Sequence, residues 1–148
     1  MPNATYLNAT EASGRAFYMA FHSKGPIIMI NLLRYRSVAD YADYPELAPE
    51  QEVTGEAAYE LYMKATQQHL EKAGSKVLYF GDCTSFLIGP EDEQWDAVLL
   101  VKHVSVTQFM AFAQNEVYLK TAGHRAAALS DSRLLPMQSR ALPWEESV

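Results

Sequence analysis

The sequence predicts an α+β fold in which one antiparallel four-stranded sheet carries its helices on a single face. Three observations lead there. The 148 residues are 49% hydrophobic and 20% charged, an ordinary globular composition with room for a core that needs no disulfide or structural metal. Apolar segments of strand length lie at 27–36, 76–80, 95–103 and 132–138, separated by amphipathic stretches. Behind a leading helix, the order is strand, helix, strand, strand, helix, strand, which is the split βαβ pattern of ferredoxin-like folds.

The leading helix is expected over 11–23, capped by Thr10, with Glu11 in the first turn where the helix dipole favours an anion. Phe17, Ala20 and Phe21 form its apolar stripe, and Gly25-Pro26 stops it. Residues 27–36 form a nearly continuous apolar run, as in a central strand covered on both faces. Asn31 and Arg34 are the polar residues inside it, and alternation puts them on opposite faces. Residues 37–53 have no clean period and two prolines, so they read as a long loop of the functional or mobile kind.

Thr54 caps a second helix over 55–73, on which Ala58, Tyr62, Ala65, His69 and Ala73 share a face before Gly74 ends it. Lys76–Phe80 and Phe86–Ile88 read as strand, either bent around Gly81 or continued past a bulge. Glu91, Asp92, Glu93 and Asp96 form an acid cluster near a turn, with a solvated hairpin tip favoured over a cation site. Trp95–His103 is the third strand, and Ser105 with Gln108 marks the capping box of a third helix. Residues 116–129 read as short helix broken near Gly123. The last strand, 132–138, contains Pro136, which places it at a sheet edge or a bulge. The whole reads as a single domain over 1–148, with a helical extension at 1–25, the α+β unit at 26–138 and a tail at 139–148 whose apolar anchor is Trp144.

Charge and motifs exclude several functions. The net charge is −6 and no basic run exists, so neither nucleic acid nor a membrane surface is an expected partner. One cysteine, Cys83, rules out an intrachain disulfide and a thiolate zinc site; it reads as a packing residue. The start, 1–8, lacks the basic and apolar parts of a signal peptide, and no run spans a membrane, so a cytoplasmic location is expected. The histidines, His22, His69, His103 and His124, stand at no helical metal spacing, and no phosphate loop, dinucleotide fingerprint or Gly-x-Ser-x-Gly elbow occurs. No metal and no cofactor are expected.

The candidate site residues lie where the fold puts polar groups on inward faces. His69 and Tyr62 share the inner face of the second helix and could act as acid and base; the alternative is a core histidine bonded to a carbonyl. Asn31 could hold a ligand carbonyl or carboxylate, or simply fix sheet register. Arg125, beside His124, suits a bidentate grip on a carboxylate, or a salt bridge with Asp131 or the turn acids. Trp95 could floor a pocket or fill a dimer seam, while Tyr41 and Tyr44 of the loop could close over a substrate.

Four segments carry a resemblance: Met29–Arg36, Gly74–Gly81, Ile88–Asp96 and His124–Arg133. Over 27–138 the chain resembles the uncharacterised family numbered 1330 among domains of unknown function, in the dimeric α+β barrel superfamily. The resemblance implies a homodimer with sheets packed face to face, which the first strand's two apolar faces also require. It implies no reaction, since relatives in the superfamily include cofactor-free monooxygenases, isomerases and haem enzymes. Two functions follow as expectations. One is a cofactor-independent enzyme, monooxygenase- or isomerase-like, on a small organic acid or aromatic. The other is a non-catalytic module that binds a small ligand or serves assembly.

Overall fold

The computed structural model describes residues 4–145. Helix α1 (Glu11–Phe21) starts at a capping box in which Thr10 and Ser13 satisfy each other's backbone N–H groups. Gly25, at a φ of 78°, turns the chain from it into β1 (Ile27–Tyr35). Thr54 caps α2 (Gly55–Lys72) through its hydroxyl, and Gly74, at a φ of 74°, releases the chain into β2 (Lys76–Asp82). After β3 (Ala97–His103), Ser105 caps α3 (Val106–Ala113) and Asn115 caps α4 (Glu116–Thr121). A short α5 (Gly123–Ala128) runs directly into β4 (Leu129–Met137).

The four strands form one antiparallel sheet in the order β2-β3-β1-β4, the ferredoxin-like arrangement, with the helices on one face. β4 is an edge strand, which is where Pro136 can lack a ladder N–H without loss. Alternation along β1 sends Ile27, Met29, Asn31 and Leu33 to the helices and Ile28, Ile30, Leu32 and Arg34 to the other face. The core beneath the helices joins Leu33, Tyr59, Tyr62, Leu99 and Leu129, with a satellite of Ile27, Met29 and Val106 under α1 and α3.

Two expectations change. Phe86–Ile88 is not strand: β2 ends at Asp82, and the segment is a loop pinned by one isolated bridge, Ser85 to Gln94, so its apolar side chains stand out in solvent. The Trp144 side chain anchors nothing among the described residues and is exposed. The third strand starts at Ala97, two residues later than expected, while the last strand starts earlier, at Leu129, because it takes up the end of the short helix.

Candidate functional site

Between the helices and the sheet lies a cavity of about 820 Å³. Its floor is Met29, Asn31, Leu99 and Val101, and its roof is the inner face of α2 at Tyr59, Tyr62 and Thr66. Phe109 and Phe112 of α3 and Tyr118 of α4 wall it, so its lining is mostly apolar and aromatic. Two cations, Arg125 and Lys64, line it, and among the described residues no Asp or Glu does.

Each polar group in the cavity has a distinct hydrogen-bond state. Asn31 donates from Nδ2 to the carbonyl of Leu99 at 3.2 Å, which leaves Oδ1 as an acceptor. The hydroxyls of Tyr62 and Tyr118 meet at 2.7 Å; one donates to the other, so the pair retains one O–H. Burial pushes Tyr62 well above its ordinary value and Tyr59 to about 12, so both phenols stay protonated. The Thr66 hydroxyl is buried and has no partner among the described residues. His103, at the end of β3, shares the inward parity of Leu99 and Val101 and meets Ser75 Oγ with Nδ1 at 2.7 Å. Its burial lowers its pKa from 6.5 to about 4, so it is neutral at physiological pH.

Arg125 comes from α5 and is held rather than spent. Its Nη1 donates to the carbonyl of Leu7 at 2.8 Å and its Nη2 to Ser132 Oγ at 3.2 Å. No carboxylate pairs with it among the described residues, because Asp131 is engaged by Arg133 at 2.7 Å and Arg34 at 3.5 Å. Burial alone would raise the Asp131 carboxyl; donation from Tyr6 N–H, Arg133 and Ser132 N–H holds it below its ordinary value. The segment Leu7–Ala9 and the ring of Tyr44 complete the cavity wall. Tyr44 seats closely on Gly123, where an added Cβ would fall 2.6 Å from its ring.

Of the residues singled out in the sequence, Asn31, Tyr44, Tyr62 and Arg125 line this cavity. His69 does not line it; its buried ring lies edge-on to Tyr118, with centroids 6.5 Å apart. His124 and Tyr41 bond each other, Nδ1 to Oη, at 2.7 Å, and so pin the 37–53 loop to α5. Trp95 is on the opposite side of the sheet, between the guanidinium groups of Arg34 at 5.0 Å and Arg133 at 4.9 Å. His103, Thr66 and Ser75 were not singled out. Alternation in Leu99-Leu-Val-Lys-His103 was the available signal, since it turns Lys102 outward and His103 inward.

No protein-family model matches the chain and no protein of curated function matches it, so membership of the family numbered 1330 is not confirmed. The hydroxynitrile lyase of Passiflora edulis is similar in fold, with 12% identity, a TM-score of 0.54, and coverage of 81% of this chain and 99% of that one. Much nearer is the RPA0582 protein of unknown function from Rhodopseudomonas palustris, 34% identical, with a TM-score of 0.81. Its methylated form gives the same identity and a TM-score of 0.80, with 95% of this chain and 98% of that chain covered. With 94% of its own length and 100% of that relative covered, the chain belongs to the family of the RPA0582 protein.

Proposed function

We propose that this protein takes a small organic acid with an aromatic or branched apolar body into the cavity between sheet and helices, without metal or nucleotide. The observation that carries the reading is the charge of the lining: Arg125 and Lys64 with no carboxylate among the described residues, in a chain whose net charge is −6. A cavity in an acidic protein that excludes its own carboxylates is suited to a ligand's carboxylate. Arg125 supplies the charge-assisted bond, and the phenylalanine walls cover the ligand's body. The outer face of the sheet, apolar at Ile28, Ile30, Leu32 and Leu100, is assigned to a second copy of the chain, in keeping with the resemblance to the family numbered 1330.

A catalytic reading is favoured by one specific feature. The Tyr62–Tyr118 pair retains an O–H within the cavity that also holds Arg125, a general acid able to donate to the bound ligand. The test is calorimetric: 4-phenylbutyrate should bind and 4-phenyl-1-butanol, which lacks the charge, should bind at least tenfold more weakly. Equal binding of the two, or none, sinks the acid-site reading.

A further inference from the structure

Two buried polar residues, Thr66 and His103, line the cavity. The first is Thr66, 3% exposed, whose Oγ1 has no hydrogen-bond partner among the described residues. A buried hydroxyl left unpaired is uncommon and costly, and this one belongs to a residue that lines the cavity. The second is His103, 3% exposed, with Phe109 edge-on at 4.8 Å.

Hydrogen-bond accounting assigns the tautomer of His103. Ser75 is buried, and its Oγ has no partner among the described residues other than His103 Nδ1. If Nδ1 carried the proton and donated, the serine O–H would be left with no acceptor. If the serine donates, its O–H is used, and the one donor left over is the imidazole N–H of a residue that lines the cavity, where a ligand can accept from it. The second arrangement is the cheaper one. The imidazole then carries its proton on Nε2, which has no partner among the described residues. Burial also disfavours the cation, so this ring offers an uncharged donor.

We propose that His103 and Thr66 form an uncharged polar subsite that binds a carbonyl or hydroxyl oxygen of the ligand, with Ser75 as the positioning residue for His103. The inference rests on the acid-site reading above and narrows it: the ligand is an oxo or hydroxy acid, its carboxylate at Arg125 and its neutral oxygen in this subsite. Both are neutral donors, and with Arg125 holding the carboxylate they are left for an uncharged oxygen of the same ligand.

The matched probes are 3-benzoylpropionate and 4-phenylbutyrate, which share length, ring and carboxylate and differ by the keto oxygen. Calorimetry should show the keto acid bound more tightly, by about fivefold for each hydrogen bond formed. Thr66→Val, which is isosteric and breaks no bond in the free protein, should cut that preference about fivefold without lowering the melting temperature. Nitrogen-15 spectra of the unmodified protein should show a protonated Nε2 and a bare Nδ1 on His103, so the test does not depend on a histidine variant folding. A bare Nε2 overturns the proposal, as does a keto-acid preference that is absent or is undiminished in Thr66→Val, even if both acids bind through Arg125. If neither acid binds, the acid-site reading fails first and the subsite falls with it.

Discussion

The Nη1 of Arg125 donates to the carbonyl of Leu7 at 2.8 Å, so the cation of the cavity is oriented by the segment that precedes the first helix. That segment crosses the edge of the sheet at β4. Tyr6 donates its N–H to Asp131, accepts from Ser132 Oγ, and lays its ring under Arg133 at 4.9 Å. One short strap therefore joins an ion cluster on the open face of the sheet to the arginine on the helix face. The arrangement fixes a long side chain that would otherwise lose rotamer entropy on gripping a ligand.

Replacing Arg125 by Met should act on both roles. Losing the bonds to Leu7 and Ser132 should lower stability by about 1–2 kcal/mol, seen as a lower urea midpoint. Affinity for 4-phenylbutyrate should fall by about 1.5–3 kcal/mol, the size of a charge-assisted bond. His69→Gln is the control. Its ring packs behind Tyr118 rather than on the lining, so binding should be unchanged.

Gly123→Ala should loosen the 37–53 loop. A Cβ there would lie 2.6 Å from Tyr44 Cδ1 and 2.7 Å from Leu47 Cδ1, closer than real contacts allow, so both side chains must move. Overpacking of this kind costs about 1–3 kcal/mol. The observable is faster limited proteolysis between Val38 and Val53, with cleavage elsewhere unchanged.

Local rules were legible in the sequence because they depend on neighbours within a few residues. Thr10, Thr54 and Ser105 cap the helices they were expected to cap, and Gly25 and Gly74 take the left-handed turns that end them. The order of strands followed from apolar run lengths, and Pro136 marked an edge. What failed was tertiary. Phe86–Ile88 has the composition of a strand, yet the chain has already turned away from β3 and gives it no partner beyond one bridge. Helical periodicity put His69 on the inner face of α2, which is correct, but the cavity lining runs along Tyr62, Thr66 and Leu70 and leaves His69 out. Which of two inward histidines meets open space depends on how α3 and α4 pack, and no short-range pattern encodes that.

The open sheet face gives a test of assembly. Leu135 and Tyr79 stand 59% and 61% exposed there, beside the half-buried Ile30 and Leu100. A patch of this kind on a lone subunit favours association. Sedimentation equilibrium should give twice the chain mass of 16.6 kDa. Leu135→Glu should shift the mass toward the monomer with little loss of subunit folding, because the residue is already exposed in the subunit. A wild-type mass of one chain at micromolar concentration would discard the dimer.

The pH dependence of stability follows from two groups of opposite sign. His103 is neutral in the fold, with a pKa of about 4, whereas in the unfolded chain it takes a proton near 6.5. Below 6.5 the unfolded state binds more protons than the native one, so stability falls as pH drops from about 6.5 to about 4 and then levels. At 1.36 kcal/mol per pH unit the full loss is about 3 kcal/mol, an upper figure because partial opening of the fold would relieve it. Asp131 acts at lower pH. Its carboxyl is held below the ordinary 3.8 by Tyr6, Arg133 and Ser132, so the stability it contributes is complete above that value and is lost as pH falls through its lower native pKa. Urea midpoints from pH 7 down to 3 should therefore decline in two stages. His103→Gln should flatten the upper stage, leaving the smaller share contributed by His124, whose pKa burial also lowers. Asp131→Asn should remove the lower stage alone. An unchanged upper stage in His103→Gln would mean that the imidazole already titrates normally in the fold and is not the buried neutral donor its packing implies.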